Sequence, residues 1–349
     1  MGHPANSATM RIPHRSSSAP EFRPRITYAV TPPNQTTPEE RRRAIAAAQS
    51  ARVLSLPVDA LLVYDVQDEA SRNDAPRPFS FAPKYDPLSY AFDELELGRL
   101  PRVVYRAVAE HAESSLVRWF DKLQRHGGLA VLVGAASRRS CASLTLPQAF
   151  SLCRRHTPSL AFGGVVIPER HQISGAEDAR VWAKTQQGCR FFVSQTVWSV
   201  SATKRLLLDL RLRAELEAGV VPHLLLTFSP CGSRQTLEFN EWLGVAVPDQ
   251  VKRELLSAKD MLMRSIELAT EACAEIRAFA VEQGLSVGCN VESVSSRAAE
   301  VEASVELVRR IDRLYPLRST PLADRAESGA HEPTSIDSGY PQRTQTRIC

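Results

Sequence analysis

Eight short apolar segments, all but the second, which leads into a long polar loop through Pro87, followed by sequence of helical character, constrain this chain more than any other feature. They occupy 26–31, 59–65, 102–105, 129–134, 160–167, 190–195, 223–228 and 285–291. Runs of four to eight residues rich in Val, Leu, Ile and Phe read as strands buried on both faces, as in a parallel sheet covered by helices. Helical stretches follow at 37–54, 113–126, 147–155, 175–187, 200–218, 235–243, 248–283 and 296–313. Eight repeats allow the sheet to close on itself, and about 250 residues is the usual size of such a ring. The expected fold class is α/β, a (β/α)8 TIM barrel forming a single domain over 25–316. An open doubly wound sheet is the runner-up, but no Gly-x-Gly-x-x-Gly turn follows the first strand.

Residues 1–24 and 317–349 are polar and rich in Pro, Ser and Thr, and are expected to be disordered extensions. Seven cysteines, an odd number with no Cys-x-x-Cys pair, argue for reduced thiols in a cytoplasmic protein, and no metal site is expected. The net charge of +4 arises from near-balanced acids and bases, without the clustered Lys and Arg of a nucleic-acid surface. No apolar run approaches the roughly 18 residues of a membrane span. Neither nucleic acid nor membrane is an expected partner, and assembly into a homo-oligomer is left open.

In a barrel of this kind the active site lies at the C-terminal ends of the strands. Polar residues there are Asp65, Gln67, Asp68 and Glu69 after strand two, Ser137 and Arg138 after strand four, and Glu169 and His171 after strand five. Gln195 follows strand six, Ser229 strand seven, and Asn290, Glu292 and Ser293 strand eight. Crowded carboxylates raise one another's pKa, so Asp65, Asp68 and Glu69 are candidate catalytic acids, with Glu292 a further candidate acid. The alternative for the first cluster is a solvated loop paired to Arg72, and for Glu292 a bond to loop backbone. Gln195 offers two donors and an acceptor, which suits the edge of a heterocycle, or else it caps its strand end.

Three ordered segments carry a resemblance. The first strand, Ile26-Thr27-Tyr28-Ala29-Val30-Thr31, ends in Pro32-Pro33. Ile167-Pro168-Glu169-Arg170-His171 follows strand five, and Lys184-Thr185-Gln186-Gln187-Gly188-Cys189 leads into Phe191-Phe192-Val193-Ser194-Gln195. Together they resemble the methylenetetrahydrofolate reductases over about 25–316. The resemblance implies reduction of 5,10-methylenetetrahydrofolate to 5-methyltetrahydrofolate, with NADH or NADPH as electron donor and FAD as flavin. It implies a folate substrate against Gln195, Tyr28 and Asn290. Lys184 would lie near the flavin phosphates, with Gly134, His171 and Glu169 completing the cofactor site. Two positions depart from the family pattern. Ala29 stands where the family has a glutamate, and Leu132-Val133-Gly134-Ala135 stands where it has Leu-x-Arg-Gly-Asp. Those departures leave two other functions open: a catalytically degenerate folate-binding barrel, or a folate-dependent methyl-transfer protein.

Overall fold

The computed structural model describes residues 21–69, 74–135 and 143–316. Ser137, Arg138 and Arg72, and the terminal extensions up to residue 20 and from 317, lie outside the described residues. Eight strands form one closed, all-parallel barrel in sequence order. They are β1 (Ile26–Val30), β2 (Ala60–Val63), β3 (Arg102–Ala107), β4 (Leu129–Val133), β5 (Phe162–Val166), β6 (Phe191–Thr196), β7 (His223–Phe228) and β8 (Val287–Val291). Closure pairs β1 with β8, setting Thr27 opposite Asn290 and Tyr28 opposite Val291.

The helical layer comprises α1 (Glu39–Leu54), α2 (Pro87–Ser89), α3 (Glu113–Arg125), α4 (Leu146–His156), α5 (Pro168–Ser174), α6 (Glu177–Gln186), α7 (Val200–Leu216), α8 (Arg234–Trp242), α9 (Asp249–Ser257), α10 (Met261–Glu282) and α11 (Ala298–Asp312). A π-helical segment, Tyr90–Glu94, continues from α2. Local chemistry accounts for many of the boundaries. Glu39 and Glu40 place negative charge in the first turn of α1. Thr145 and Gln148 form a capping box ahead of α4. The continuous helix expected over 248–283 is divided, because Ala258 is extended and the Asp260 carboxylate accepts from the Met263 N–H at 3.0 Å to start a new helix. An aspartate that can bond its own backbone competes with helix propagation. The turn expected at Pro168–His171 is instead the start of the short helix α5.

Alternation along each strand sorts side chains between the lumen and the helix-facing layer. Ala29, Leu62, Val103, Tyr105, Val131, Phe191, Val193 and Leu225 pack together in the lumen. The larger outer core includes Tyr28, Leu61, Val104, Phe162, Phe192 and Phe228 with the inner faces of the helices. Phe22 packs edge-on against Phe191, with ring centroids 4.9 Å apart. The carbonyl of Pro24 accepts from His223 Nε2 at 3.0 Å. Residues 22–24 thus close the N-terminal end of the barrel.

Phe191 fills the lumen because β5 offers it a glycine. A Cβ on Gly163 would lie 2.6 Å from the Phe191 carbonyl oxygen and 2.7 Å from its ring. Gly163→Ala should therefore overpack the lumen and lower stability by about 1–3 kcal/mol, read as a lower denaturation midpoint, whereas Gly175→Ala, at the C-terminus of α5, would act through its positive φ of 58° alone.

Candidate functional site

The C-terminal mouth of the barrel holds a connected set of polar side chains. Asn290, fully buried on β8, is its centre. Its amide oxygen accepts from Thr27 Oγ1 at 3.0 Å, and its Nδ2 donates to the Tyr64 hydroxyl at 3.0 Å and to Thr227 Oγ1 at 3.2 Å. The Tyr64 hydroxyl in turn lies beside Glu292, two residues beyond Asn290, and acts to lower the pKa of its carboxyl. Thr196 Oγ1 donates to Glu292 Oε1 at 3.1 Å. The ring of Tyr105 meets that of Tyr64 edge to face at 4.7 Å.

A β-bulge brings Thr196 into this set. The pairing of β6 with β7 shifts between Val193 and Thr196. Ser194 fills the shift: its Oγ accepts from the Thr227 N–H at 2.8 Å, and its carbonyl accepts from Thr227 Oγ1 at 2.7 Å. Bulges re-aim side chains in this way beside functional sites.

Burial pushes the Glu292 carboxyl up from the ordinary glutamate range, against the opposing pull of the hydrogen bonds from Tyr64 and Thr196. Burial likewise raises the hydroxyls of Tyr64 and Tyr105, and the nearby Glu292 charge adds to both. The arrangement is a half-buried carboxyl with a raised pKa, set among hydroxyls at the mouth of an apolar cup. A raised carboxyl pKa is the direction that general-acid chemistry requires.

Other residues singled out from sequence are distributed between the mouth and the scaffold. Gln195 is half-buried and its Nε2 donates to the Leu243 carbonyl, just beyond α8, at 3.2 Å. Asp65 accepts from the Ala107 N–H at 2.9 Å and lies 3.7 Å from Arg106, so it fastens the end of β3; burial raises its pKa. Asp68 is exposed, with Oδ1 4.0 Å from Arg77, and Glu69 is half-buried on the same loop. Gly134 is half-buried directly after β4. Ala29 faces the lumen, among Leu62, Val103 and Tyr105.

The placement of Tyr28 is a correction. Strand alternation sends its side chain outward, where its hydroxyl meets Ser304 Oγ of α11 at 2.8 Å, so it does not line the mouth. The same holds for the residues expected to bind flavin. Lys184 extends from α6 along the outer face of β5, and its ammonium donates to the Val165 carbonyl at 2.7 Å. The Glu169 carboxylate is buried and accepts from the N–H groups of Trp198 and Ser199 at 2.9 and 3.2 Å, at the entry to α7. His171 is also buried: Nδ1 accepts from the Glu177 N–H at 3.2 Å, which leaves Nε2–H to donate to Asp209 at 2.9 Å. These three side chains tie α5, α6 and α7 to the barrel. Each is engaged with backbone or with a side chain of the helix layer.

Comparison with solved structures gives a strong match to an uncharacterized protein from Clostridium thermocellum that binds two copies of 5-methyl-5,6,7,8-tetrahydrofolic acid. The two are 32% identical with a TM-score of 0.73, over 83% of this chain and 96% of that one. The chain belongs to that protein's family. A 2,3-dimethylmalate lyase of the PEP mutase/isocitrate lyase superfamily also aligns, over 81% of this chain and 89% of that one. At 13% identity and a TM-score of 0.36 it carries no argument. No protein-family model and no curated protein matches the chain. Among the described residues no helix is long and apolar enough to cross a membrane.

The sequence singles out Glu292, Asn290 and Gln195 of this polar set and does not point to Tyr64, Tyr105, Thr196, Thr27 or Thr227. The signal for Tyr64 and Tyr105 was available, since each lies two residues beyond a lumen position, Leu62 and Val103, on its own strand. Thr196 needed the bulge, which nothing in the sequence announces.

The raised pKa of Glu292 has a consequence for stability. Between the unfolded carboxyl value, about 4.3, and the higher folded value, the native state holds the extra proton, so stability falls as pH rises through that window. Glu292→Gln removes the titration and keeps an acceptor for Tyr64. Its melting temperature relative to the parent protein should therefore increase from pH 4 to pH 8; a difference that does not change with pH would show that the carboxyl titrates alike in the folded and unfolded chain.

Proposed function

We propose that this protein binds a reduced folate at the barrel mouth and reduces a 5,10-methylene bridge to a 5-methyl group. The binding half of the reading is supported by the 32%-identical relative, which binds 5-methyltetrahydrofolic acid and aligns along 96% of its own length. The chemical half rests on one observation, the half-buried carboxyl of Glu292, which accepts from Thr196, lies beside Tyr64 and has a raised pKa. The pterin edge would meet Gln195 and the polar set around Asn290, whose donors and acceptors suit its mixed pattern.

In the reaction, Glu292 gives its proton to N10 as the bond between N10 and the bridging carbon breaks, leaving an iminium at N5. A hydride from NADH or NADPH then adds to that carbon and yields the 5-methyl product and the oxidised nucleotide. Solvent reprotonates Glu292 for the next turnover. The apolar lumen wall formed by Ala29, Leu62 and Val193 limits water beside the iminium, which protects it from hydrolysis.

A second reading, folate binding without reduction or with transfer of the methyl group, is favoured by Ala29. It faces the lumen at the position where the reductases carry a glutamate, and it supplies no proton.

Titration with 5-methyltetrahydrofolate and a nicotinamide-oxidation assay with 5,10-methylenetetrahydrofolate separate the two. The reductase reading expects turnover with one of the nucleotides and a loss of about 10²-fold or more in Glu292→Gln, with folate affinity held within a few-fold. Tight folate binding without nucleotide oxidation would leave the second reading standing alone. In either case Gln195→Ala should weaken folate binding about tenfold, the scale of one lost hydrogen bond in a buried site; unchanged affinity removes Gln195 from the site.

A further inference from the structure

The loop between β2 and α2 is described over 64–69 and 74–86, and its second part, 74–86, joins the loop after β1 to α8. On one side it pairs with the loop after β1: Gln35 N–H donates to the Pro83 carbonyl at 2.8 Å and Tyr85 N–H to the Pro33 carbonyl at 2.9 Å. On the other, the Trp242 indole donates to the Ala75 carbonyl at 2.9 Å and the Gln235 amide to the Pro78 carbonyl at 2.7 Å. This is a strap over one sector of the mouth.

Arg77 lies under the strap against three rings. Its guanidinium carbon stands 4.9 Å from the centroid of Trp242, 5.2 Å from Phe81 and 5.3 Å from Phe239. The side chain is only 15% exposed, and Nε and Nη1 are buried without a hydrogen-bond partner among the described residues. The Asp68 carboxylate, at 4.0 Å from Nη1, is beyond hydrogen-bond reach. Ring faces stabilise the charge, but they leave its N–H donors unsatisfied, and a buried unsatisfied donor on a charged group is costly. A guanidinium presents its donors as a rigid fork that matches the two oxygens of a carboxylate. The rings beside it offer flat apolar surface. Trp242 precedes Leu243, whose carbonyl accepts from Gln195, so one short stretch of chain touches both the box and the mouth.

We propose that Arg77, with Phe81, Phe239 and Trp242, binds the carboxylate-bearing end of a ligand whose other end occupies the barrel mouth. This rests on the reduced-folate reading, because a folate carries an aminobenzoyl ring followed by glutamate carboxylates. The ring lies against the aromatic faces, and a carboxylate engages the fork of Arg77 in place of its distant approach to Asp68.

The test compares the full chain with Arg77→Met, which keeps the length of the stem and its packing on the rings. Both are titrated with 5-methyltetrahydrofolate and with a tetrahydropterin lacking the aminobenzoyl-glutamate tail. The expected result is an affinity for the whole folate at least about tenfold weaker in Arg77→Met, with the tail-less pterin bound equally by both. Equal loss for the two ligands assigns Arg77 to ordering the strap and overturns the proposal, as does unchanged affinity for the folate. Should the parent protein bind neither ligand, the reduced-folate reading falls. Aminobenzoyl-glutamate alone then decides the assignment of Arg77: binding that Arg77→Met abolishes sustains it, and any other result overturns it.

Discussion

The rest of the structure depends on the buried amide of Asn290. It sits at the seam where β8 meets β1, and it satisfies both ends of its amide on three other strands, through Thr27, Tyr64 and Thr227. A buried amide left unpaired costs about 1–3 kcal/mol for each lost partner. A slip of one residue at the seam would turn Asn290 out into the apolar helix layer and strip away all three partners at once. The bond that fixes closure also orients the Tyr64 hydroxyl, which lies beside Glu292. Barrel register and the surroundings of Glu292 are therefore coupled through one side chain.

The barrel itself was legible because its signal is repeated eight times. Each apolar run is short and bounded by helical sequence, and an error of one or two residues at any boundary leaves the count unchanged. The details that failed are single events. Asp260 restarted a helix by accepting from Met263, within a stretch whose apolar periodicity runs on without a break. The family resemblance points to Tyr28, which lies in the first strand of the motif, yet period-two alternation makes Ala29 and Tyr28 face opposite ways.

The motif Glu169-Arg170-His171 and Lys184 show how a family resemblance separates from a site. Their order and spacing correspond to the reductases, but in this chain each is engaged in the helix layer. Glu169 holds the entry of α7, Arg170 forms paired bonds with the fully buried Glu177, and His171 links α6 to Asp209 on α7. Such residues specify how the helices sit on the strands. The residues that face the lumen, Glu292, Tyr64, Tyr105 and Thr196, come from strand ends that no motif marks. They can only be recognised once the direction of each side chain is known.

Phe191 in the lumen, admitted by Gly163, gives the barrel a floor. With Phe22 and Pro24 closing the far end beneath it, the barrel is a cup and not a pipe. Among the described residues, a molecule that enters from the C-terminal mouth meets a closed base, so it leaves by the end through which it came.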